Sequence, residues 1–184
     1  MNQNIPHDVV VRAQQGSPED VGWLYSNYHQ NIYRYLYYRT GDPYIAEDLT
    51  ADVFLKMVQA LPVFRIEAAP FIAWLFQIAR NVVIDHYRKS AVHPLAQIDE
   101  QLAEPDEGPP GMAELHFASL ELARALTRLE ESQKDVLILR FIEKMPIAET
   151  ALILHKTEDA VKALQRRGLN ALRISLNHWE KNNE

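Results

Sequence analysis

Apolar residues in the first half of the chain recur at the three- and four-residue spacing of amphipathic helices. Helices are expected over residues 18–39, 44–61 and 70–90, with Ser17-Pro18 as the first start signal and a break at residues 40–43. Alternating strand patterns are hard to find here. This half is therefore predicted to be a helical bundle.

The second half predicts helix from residue 120 onward and then two further units. A short helix over residues 146–154 precedes a turn, His155-Lys156-Thr157, and a longer helix to about residue 176 that Thr157 can cap. A short helix, a tight turn and a longer helix form the skeleton of helix-turn-helix DNA-binding modules. The predicted fold class is all-α throughout.

The charge of the chain, formally -6 over 184 residues, is unevenly distributed. Residues 1–90 carry 8 basic and 9 acidic side chains, residues 119–184 carry 11 and 10, and residues 91–118 carry 6 acidic and none basic. The middle segment also contains four prolines and two glycines, as in a flexible linker. Two small helical domains, 1–90 and 119–184, are predicted on either side of it.

Several classes of function find no support in the composition. The chain has no cysteine, which removes thiolate chemistry and suits a reducing cytoplasm, and its seven histidines show no metal-ligand spacing. No phosphate loop, dinucleotide fingerprint or nucleophile elbow is present, and no apolar stretch is long enough to span a bilayer. We therefore expect a soluble, cytoplasmic protein without catalytic residues, metal or cofactor, and without membrane insertion.

An acidic stripe lies on the second predicted helix. Asp48 and Asp52 are one turn apart and face away from Leu49 and Val53, with Phe54 and Leu55 nearby. The pattern fits a solvated face, and it equally fits a docking surface for a basic partner with Phe54 or Leu55 as its apolar anchor.

A polar strip lies on the third predicted helix, which is otherwise apolar. Its members, with Trp74 one turn before them and Arg80 beside them, are Gln77, Asn81, Asp85 and Arg88. The strip is either a solvent face with a local Asp85–Arg88 pair or a set of amide, guanidinium and aromatic groups for nucleic acid. In the preceding loop, Phe64 and Arg65 could hold an extruded base, or Phe64 could cap the core.

The last predicted helix has opposed faces. On a wheel of 100° per residue, Lys162, Arg166 and Arg173 fall within about 40° of one another and Arg167 about 100° further round. The apolar positions lie opposite these cations, and no acid occurs between residues 160 and 173. Such a face is either solubilising or a DNA-binding surface, because cations bind phosphates and arginine also hydrogen-bonds guanine.

The sequence resembles the small extracytoplasmic-function class of bacterial sigma factors. The second region of that family is matched by Tyr33-Arg34-Tyr35-Leu36, Thr40-Gly41-Asp42-Pro43, Ala46-Glu47-Asp48-Leu49-Thr50-Ala51-Asp52-Val53-Phe54, Pro70-Phe71-Ile72-Ala73-Trp74-Leu75-Phe76-Gln77-Ile78-Ala79-Arg80-Asn81 and Ile84-Asp85-His86-Tyr87-Arg88. The fourth region is matched by Gln133-Lys134-Asp135-Val136-Leu137-Ile138-Leu139-Arg140-Phe141 and Ala160-Val161-Lys162. The motifs occur in the family's order on both sides of the linker.

The resemblance implies a transcription initiation factor that binds core RNA polymerase and selects promoter DNA. By position, the clamp helices of the largest polymerase subunit would be contacted by Asp48, Leu49, Asp52, Val53 and Phe54. The non-template strand of the -10 element would be held by Phe64, Arg65, Trp74, Gln77, Arg80, Asn81, Asp85 and Arg88. The -35 duplex would be read by Lys162, Arg166, Arg167 and Arg173, and an anti-sigma factor is an implied partner.

A few positions depart from the family. His155 stands where the turn usually has glycine, Thr150 where an aliphatic residue packs, Leu152 where a polar residue is common, and Glu130 where proline often precedes the helix. Two other hypotheses stay open. One is a stand-alone helix-turn-helix regulator whose N-terminal half binds an effector or a partner. The other, suggested by Thr150 and His155, is an interaction protein that keeps the polymerase-docking surface and has weakened DNA recognition.

Overall fold

The computed structural model describes residues 7–90 and 112–182, and within these ranges every regular element is helical. The helices are α1 (His7–Gln14), α2 (Pro18–Thr40), α3 (Pro43–Ala60), α4 (Phe71–Ser90), α5 (Met112–Thr127), α6 (Glu131–Leu137), α7 (Ile147–Leu154) and α8 (Glu158–Asn182). A 3-10 turn, Leu61–Val63, follows α3, and a π-helical turn, Ile138–Ile142, follows α6. None of the described helices is both long and apolar enough to cross a membrane.

The N-terminal unit is a bundle in which α2, α3 and α4 pack against one another and α1 packs on α2. Its three long helices begin within one residue of the predicted starts, whereas α1 was not predicted. Ser17 accepts a hydrogen bond from the Asp20 amide, and Asp42 accepts hydrogen bonds from the first free amides of α3. Gly41 ends α2 in the left-handed region with φ 75°, which glycine adopts without strain.

The C-terminal unit is built around α8, which packs against α5, α6 and α7. The closest approach is at Gly168, where an added Cβ would lie 3.2 Å from Leu137 and 3.3 Å from Gln133. The carbonyl of Met145 accepts a hydrogen bond from the Arg140 guanidinium, which fixes the loop between the π-helical turn and α7. The chain then enters α7 and α8 as the short and long helices of a helix-turn-helix.

The start of α5 differs from the prediction. The linker was expected to reach residue 118, but α5 begins at Met112, so residues 112–118 are helical. The predicted boundary followed the return of helical apolar spacing at Leu120, whereas the last helix-breaking residues are Pro110 and Gly111. The rest of the predicted linker, residues 91–111, lies outside the described residues.

The two units are packed together. Helix α5 and the π-helical turn lie against α2, and α7 lies against α4. The contact therefore involves α4, which carries the polar strip predicted to bind nucleic acid.

Candidate nucleic-acid interface

Helix α8 presents a cationic face to solvent and an apolar face to the C-terminal unit. Val161, Leu164 and Gly168 are buried, while the four cations of the predicted face are exposed: Lys162, Arg166, Arg167 and Arg173. Lys162 also forms a 3.0 Å ion pair with Asp159, whose carboxylate is 92% exposed. Exposed pairs of this kind contribute at most about 1 kcal/mol, so Lys162 remains able to bind a phosphate.

The turn before α8 has helix-turn-helix geometry although its residues depart from the pattern of the family. His155 lies in the left-handed region with φ 51° and ψ 47°, and Thr157 caps α8 by accepting a hydrogen bond from the Ala160 amide. Thr150 is fully buried, but its hydroxyl donates to the Pro146 carbonyl, which satisfies the polar group that replaces an aliphatic one. The helix-turn-helix geometry is therefore kept.

The polar strip on α4 is divided between solvent and the C-terminal unit. Asn81 is exposed, and Asp85 pairs with Arg88 at 3.1 Å in the local contact that the spacing allowed. Gln77 and Arg80 instead reach across to the other unit. The Gln77 amide donates to the Leu152 carbonyl of α7 at 2.9 Å, and Arg80 Nε donates to Asp135 Oδ2 of α6 at 3.0 Å.

The loop before α4 is fixed at its first residues. Phe64 stacks on Trp74 with ring centroids 4.4 Å apart and contacts Phe71 edge-on, so it caps the core, one of the two alternatives left open by the sequence. Its carbonyl accepts a 2.7 Å hydrogen bond from Gln14 of α1. Arg65, the next residue, is exposed.

The predicted docking surface on α3 is only partly at the surface. Asp48 and Asp52 are exposed, but Leu49, Val53 and Phe54 are at most 6% exposed and belong to the bundle core. Phe54 packs edge-on against Tyr25. Of the two proposed apolar anchors, Leu55 is therefore the exposed one, at 59%.

A cleft of about 430 Å³ runs between α3 and α4 on this side of the bundle. Leu49, Asp52 and Leu55 line one wall, and Asp85 and Lys89 belong to the other. The acidic face and an apolar side chain thus border one concave surface.

Two of the most buried charges among the described residues, Arg39 and Asp135, join the two units. Asp135 of α6 is 1% exposed and receives Arg80, the hydroxyl of Tyr35 at 2.9 Å and the guanidinium of Arg39. Arg39 Nε lies 3.1 Å from Asp135 Oδ1 without hydrogen-bond alignment, so this contact is electrostatic, and Arg39 also donates to Glu131. We call the group Tyr35, Arg39, Arg80, Glu131 and Asp135 the interdomain cluster.

The surroundings shift the proton affinities of the cluster. Burial alone would lower the pKa of Arg39, but Asp135, Tyr35 and Glu131 outweigh it and raise that pKa. Burial and the nearby Asp135 carboxylate raise the pKa of Tyr35 well above its usual value. Arg39 is therefore held as a cation and Tyr35 as a neutral donor.

A second ion pair lies further along the same contact. Arg34 of α2 binds Glu143 through two hydrogen bonds of 2.7 and 2.8 Å, and Asn31 donates to the same carboxylate at 2.9 Å. The Glu143 side chain is fully buried, whereas Arg34 is 43% exposed. In each of these ion pairs the N-terminal unit contributes the arginine and the C-terminal unit the carboxylate.

Sequence reasoning missed this contact, although one signal for it exists. On α2, Arg39 continues the buried stripe formed by Tyr28, Ile32 and Tyr35 at helical spacing, so it occupies a core position. A charge on such a stripe requires a buried partner. Nothing comparable marks Asp135, because only the fold brings α6 to α2.

Comparison with known proteins agrees with this architecture. Residues 24–92 match the family model described as Sigma-70 region 2, and residues 125–173 match Sigma-70, region 4. The chain is 36% identical over 167 residues to the ECF RNA polymerase sigma factor BldN of Streptomyces coelicolor, covering 90% of this chain and 63% of BldN. It is 34% identical over 160 residues to the ECF RNA polymerase sigma factor SigX of Bacillus subtilis, covering 82% of this chain and 80% of SigX.

A solved structure has the same fold. CnrH, solved in complex with the cytosolic domain of CnrY, matches with a TM-score of 0.73 at 23% identity over 92% of this chain and 96% of CnrH. The chain belongs to the extracytoplasmic-function class of the sigma-70 family of RNA polymerase sigma factors, which are transcription initiation factors.

Proposed function

We propose that this chain binds core RNA polymerase through its N-terminal unit and selects promoters with both units, α4 acting on the -10 strand and α8 on the -35 duplex. The observation that carries the proposal is α8 itself. Its cations are exposed on one side, its apolar residues are buried on the other, and it follows a short helix and a left-handed turn. This arrangement supports insertion of α8 into a major groove.

The -10 strand is assigned to Phe64, Arg65, Trp74 and the polar strip of α4. Arg65 and Asn81 are already exposed, and the strip offers guanidinium and amide groups for phosphates and base edges. The stacked pair Phe64–Trp74 is partly buried, so these rings support the loop and present an edge of the aromatic surface beside Arg65.

The core polymerase is assigned to the exposed carboxylates Asp48 and Asp52, with Leu55 beside them in the α3–α4 cleft. Leu49, Val53 and Phe54 support this surface from below because they are buried. We expect Asp52→Arg to weaken core binding at least tenfold, since it places a cation where a basic partner binds. Glu47→Arg, an exposed change about 140° round the same helix, is the matched control.

Binding of a duplex promoter fragment to the full chain shows whether a variant affects DNA recognition as well as core binding. Asp52→Arg should leave that binding unchanged. Equal losses of core binding and duplex binding would contradict the assignment of Asp52.

The α8 assignment is tested by the salt dependence of duplex binding. Lys162→Ala with Arg166→Ala removes two phosphate contacts and should reduce the slope of log K against log salt by about 1.8. Arg128→Ala removes an exposed arginine outside α8 and is the control. An unchanged slope in the double variant would favour the interaction protein with weakened DNA recognition.

Reconstituted transcription tests the whole proposal. Core polymerase with this chain should initiate at promoters that core alone ignores, and the double α8 variant should lose that selection. Tight operator binding without polymerase, and no effect on initiation, would favour the stand-alone regulator instead.

An anti-sigma factor is proposed as a second protein partner. The family implies one, and CnrH was solved with a cytosolic domain of another protein bound. Co-purification of a second polypeptide that blocks core binding would support this proposal. Unhindered binding of the purified chain to core polymerase in an extract of its own cells would contradict it.

A further inference from the structure

The loop before α4 is held in place by a side chain from the beginning of the chain. Gln14 is the last residue of α1, and its side-chain amide reaches the start of this loop. Gln14 Nε2 donates to the Phe64 carbonyl at 2.7 Å and to the Leu61 carbonyl at 3.0 Å. These carbonyls lie 50 and 47 residues further along the chain, so the folded bundle is needed to make the contact.

Helix α1 itself is fixed to the bundle, and it contacts both α2 and the 3-10 turn that precedes the loop. The Arg12 guanidinium donates two hydrogen bonds of 2.9 and 2.8 Å to the Asp20 carboxylate of α2. Three apolar side chains of α1 are buried: Val9, Val10 and Ala13. The Gln14 amide is therefore presented to the loop from a fixed support.

The hydrogen bond to the Phe64 carbonyl constrains more than one atom. This carbonyl and the backbone amide of Arg65 belong to one planar peptide group. Holding that plane limits the directions in which the Phe64 ring and the Arg65 side chain leave the backbone. The Phe64 ring lies on Trp74, with centroids 4.4 Å apart, whereas Arg65 is exposed. Gln14 thus holds the peptide that joins the stacked ring to the exposed cation.

The chemistry of the Gln14 amide matches the two carbonyls that it contacts. An amide NH2 group carries two N–H donors, and Leu61 and Phe64 offer one acceptor each. The Leu61 carbonyl also accepts a 3.1 Å hydrogen bond from the Phe64 backbone amide, which closes the 3-10 turn. Gln14 therefore connects the closed turn to the first peptide of the loop.

We propose that Gln14 is a positioning residue for recognition of the -10 strand, and that its amide holds the Phe64–Arg65 peptide in the conformation that presents Arg65 beside the aromatic rings. This inference rests on the proposed assignment of Phe64 and Arg65 to that strand. A loop that is already ordered loses less conformational entropy when the strand binds. Gln14 acts on the strand through the loop and does not contact DNA.

Two variants remove the donors of Gln14. Gln14→Glu keeps the size of the side chain and places carboxylate oxygens beside the two carbonyls, and Gln14→Met removes the donors without adding a charge. Gln15→Glu makes the first change at the exposed neighbouring residue and is the matched control. Circular dichroism of each variant reports that the chain is folded.

The readout is strand opening by the full chain with core polymerase, on a promoter that the unchanged chain selects in reconstituted transcription. Permanganate oxidation of unpaired thymines in the -10 element measures opening, and core binding and binding of a duplex promoter fragment are measured in parallel. Both Gln14 variants should lower the equilibrium constant of opening about tenfold, because two hydrogen bonds that order the loop are lost. Core binding and duplex binding should not change, and Gln15→Glu should change none of the three.

Combination with Arg65→Ala separates positioning from general stabilisation of the fold. If Gln14 acts through the loop, Gln14→Met and Arg65→Ala together should lower opening by less than the product of their separate losses. Losses that multiply, or equal losses of core binding and duplex binding, would overturn the inference and make Gln14 a stabilising residue of the bundle.

Two further outcomes distinguish this inference from the proposed function. Unchanged opening in both Gln14 variants, with Arg65→Ala impaired, would overturn the role of Gln14 and leave the -10 assignment intact. Normal opening by Arg65→Ala would contradict the assignment of Arg65 to the strand, and the inference would fall with it.

Discussion

The two surfaces proposed for DNA differ in how the rest of the chain treats them. The cations of α8 face solvent, and the described contact of Lys162 is a weak exposed pair with Asp159. On α4, Arg80 and Gln77 are occupied by the other half of the molecule. The surface proposed for the duplex is therefore exposed, whereas the surface proposed for the strand is partly covered.

The difference lies in what covers each surface. Helix α7 packs against α4, and Leu152 of α7 and Asp135 of α6 accept hydrogen bonds from Gln77 and Arg80. Helical spacing therefore predicts that a helix has a polar face but does not show whether that face is free.

The covered side is perturbed most strongly by removing the central cation of the interdomain cluster. Arg39→Met leaves Lys134 beside Glu131 and Arg80 beside the buried Asp135, and we expect the free energy of unfolding to fall by about 3 kcal/mol. Urea denaturation followed by circular dichroism measures this. Arg128→Met, at an exposed site, is the control, and a loss under about 1 kcal/mol for Arg39→Met would mean that the cluster behaves as a surface pair.

The packing that supports α8 is tested by the same substitution, glycine to alanine, at two positions. Gly168→Ala brings a methyl group to 3.2 Å from Leu137, and the overpacking of α6 against α8 should outweigh the gain in helix propensity and destabilise the chain by about 1 kcal/mol. Gly22→Ala meets no described atom within 4 Å and should stabilise α2 by about 0.5–1 kcal/mol. The same change thus has opposite signs in thermal denaturation, and equal signs would contradict the packing described for α8.

Alkaline pH should lower the free energy of unfolding through the buried tyrosines of the N-terminal unit. Burial raises the pKa of Tyr28 and of Tyr87 to about 12, and burial with Asp135 raises the pKa of Tyr35. The folded state therefore binds these phenolic protons more tightly than the unfolded state does. Their stabilising contribution is complete below pH about 10 and is lost as the pH rises towards about 12.

Urea unfolding at a series of alkaline pH values, with tyrosinate absorbance recorded in parallel, measures that loss. Tyr28→Phe should flatten the dependence, and Tyr44→Phe, on an exposed tyrosine, is the matched control. A free energy of unfolding that rises over this range would contradict the burial of these hydroxyls.

The smallest expected effect concerns the backbone strain in the turn before α8. His155 has φ 51°, a region that costs a non-glycine residue roughly 1–2 kcal/mol, so His155→Gly should stabilise the chain by about 0.5–1 kcal/mol. Duplex binding should be unchanged because the turn geometry is kept. A loss of stability would show that the imidazole makes a contribution larger than the backbone strain.

Much of this architecture could be predicted from local sequence signals. Ser17, Asp42 and Gly41 cap helices where their chemistry requires it, and the wheel of the last helix separates its cations from Val161 and Leu164 as the burial does. These features depend on residues that are neighbours along one helix, so a single sequence contains them.

The docking surface and the interdomain cluster show where such reasoning ends. Phe54 lies beside the acidic stripe in the sequence and could be an exposed apolar anchor, but Tyr25 of another helix covers it. Asp135 stands in the mostly polar helix α6, and its role depends on Arg39 and Arg80, which approach only after both units have folded. Contacts between distant segments leave no periodic signal in one chain.

The central claim is that this chain selects promoters for core polymerase with the exposed cations of α8 and the polar strip of α4. Reconstituted transcription with core polymerase, comparing the unchanged chain with the double variant Lys162→Ala and Arg166→Ala, tests it most directly. The account predicts initiation at promoters that core alone ignores, and loss of that selection in the double variant. Unchanged promoter selection by the double variant would contradict it.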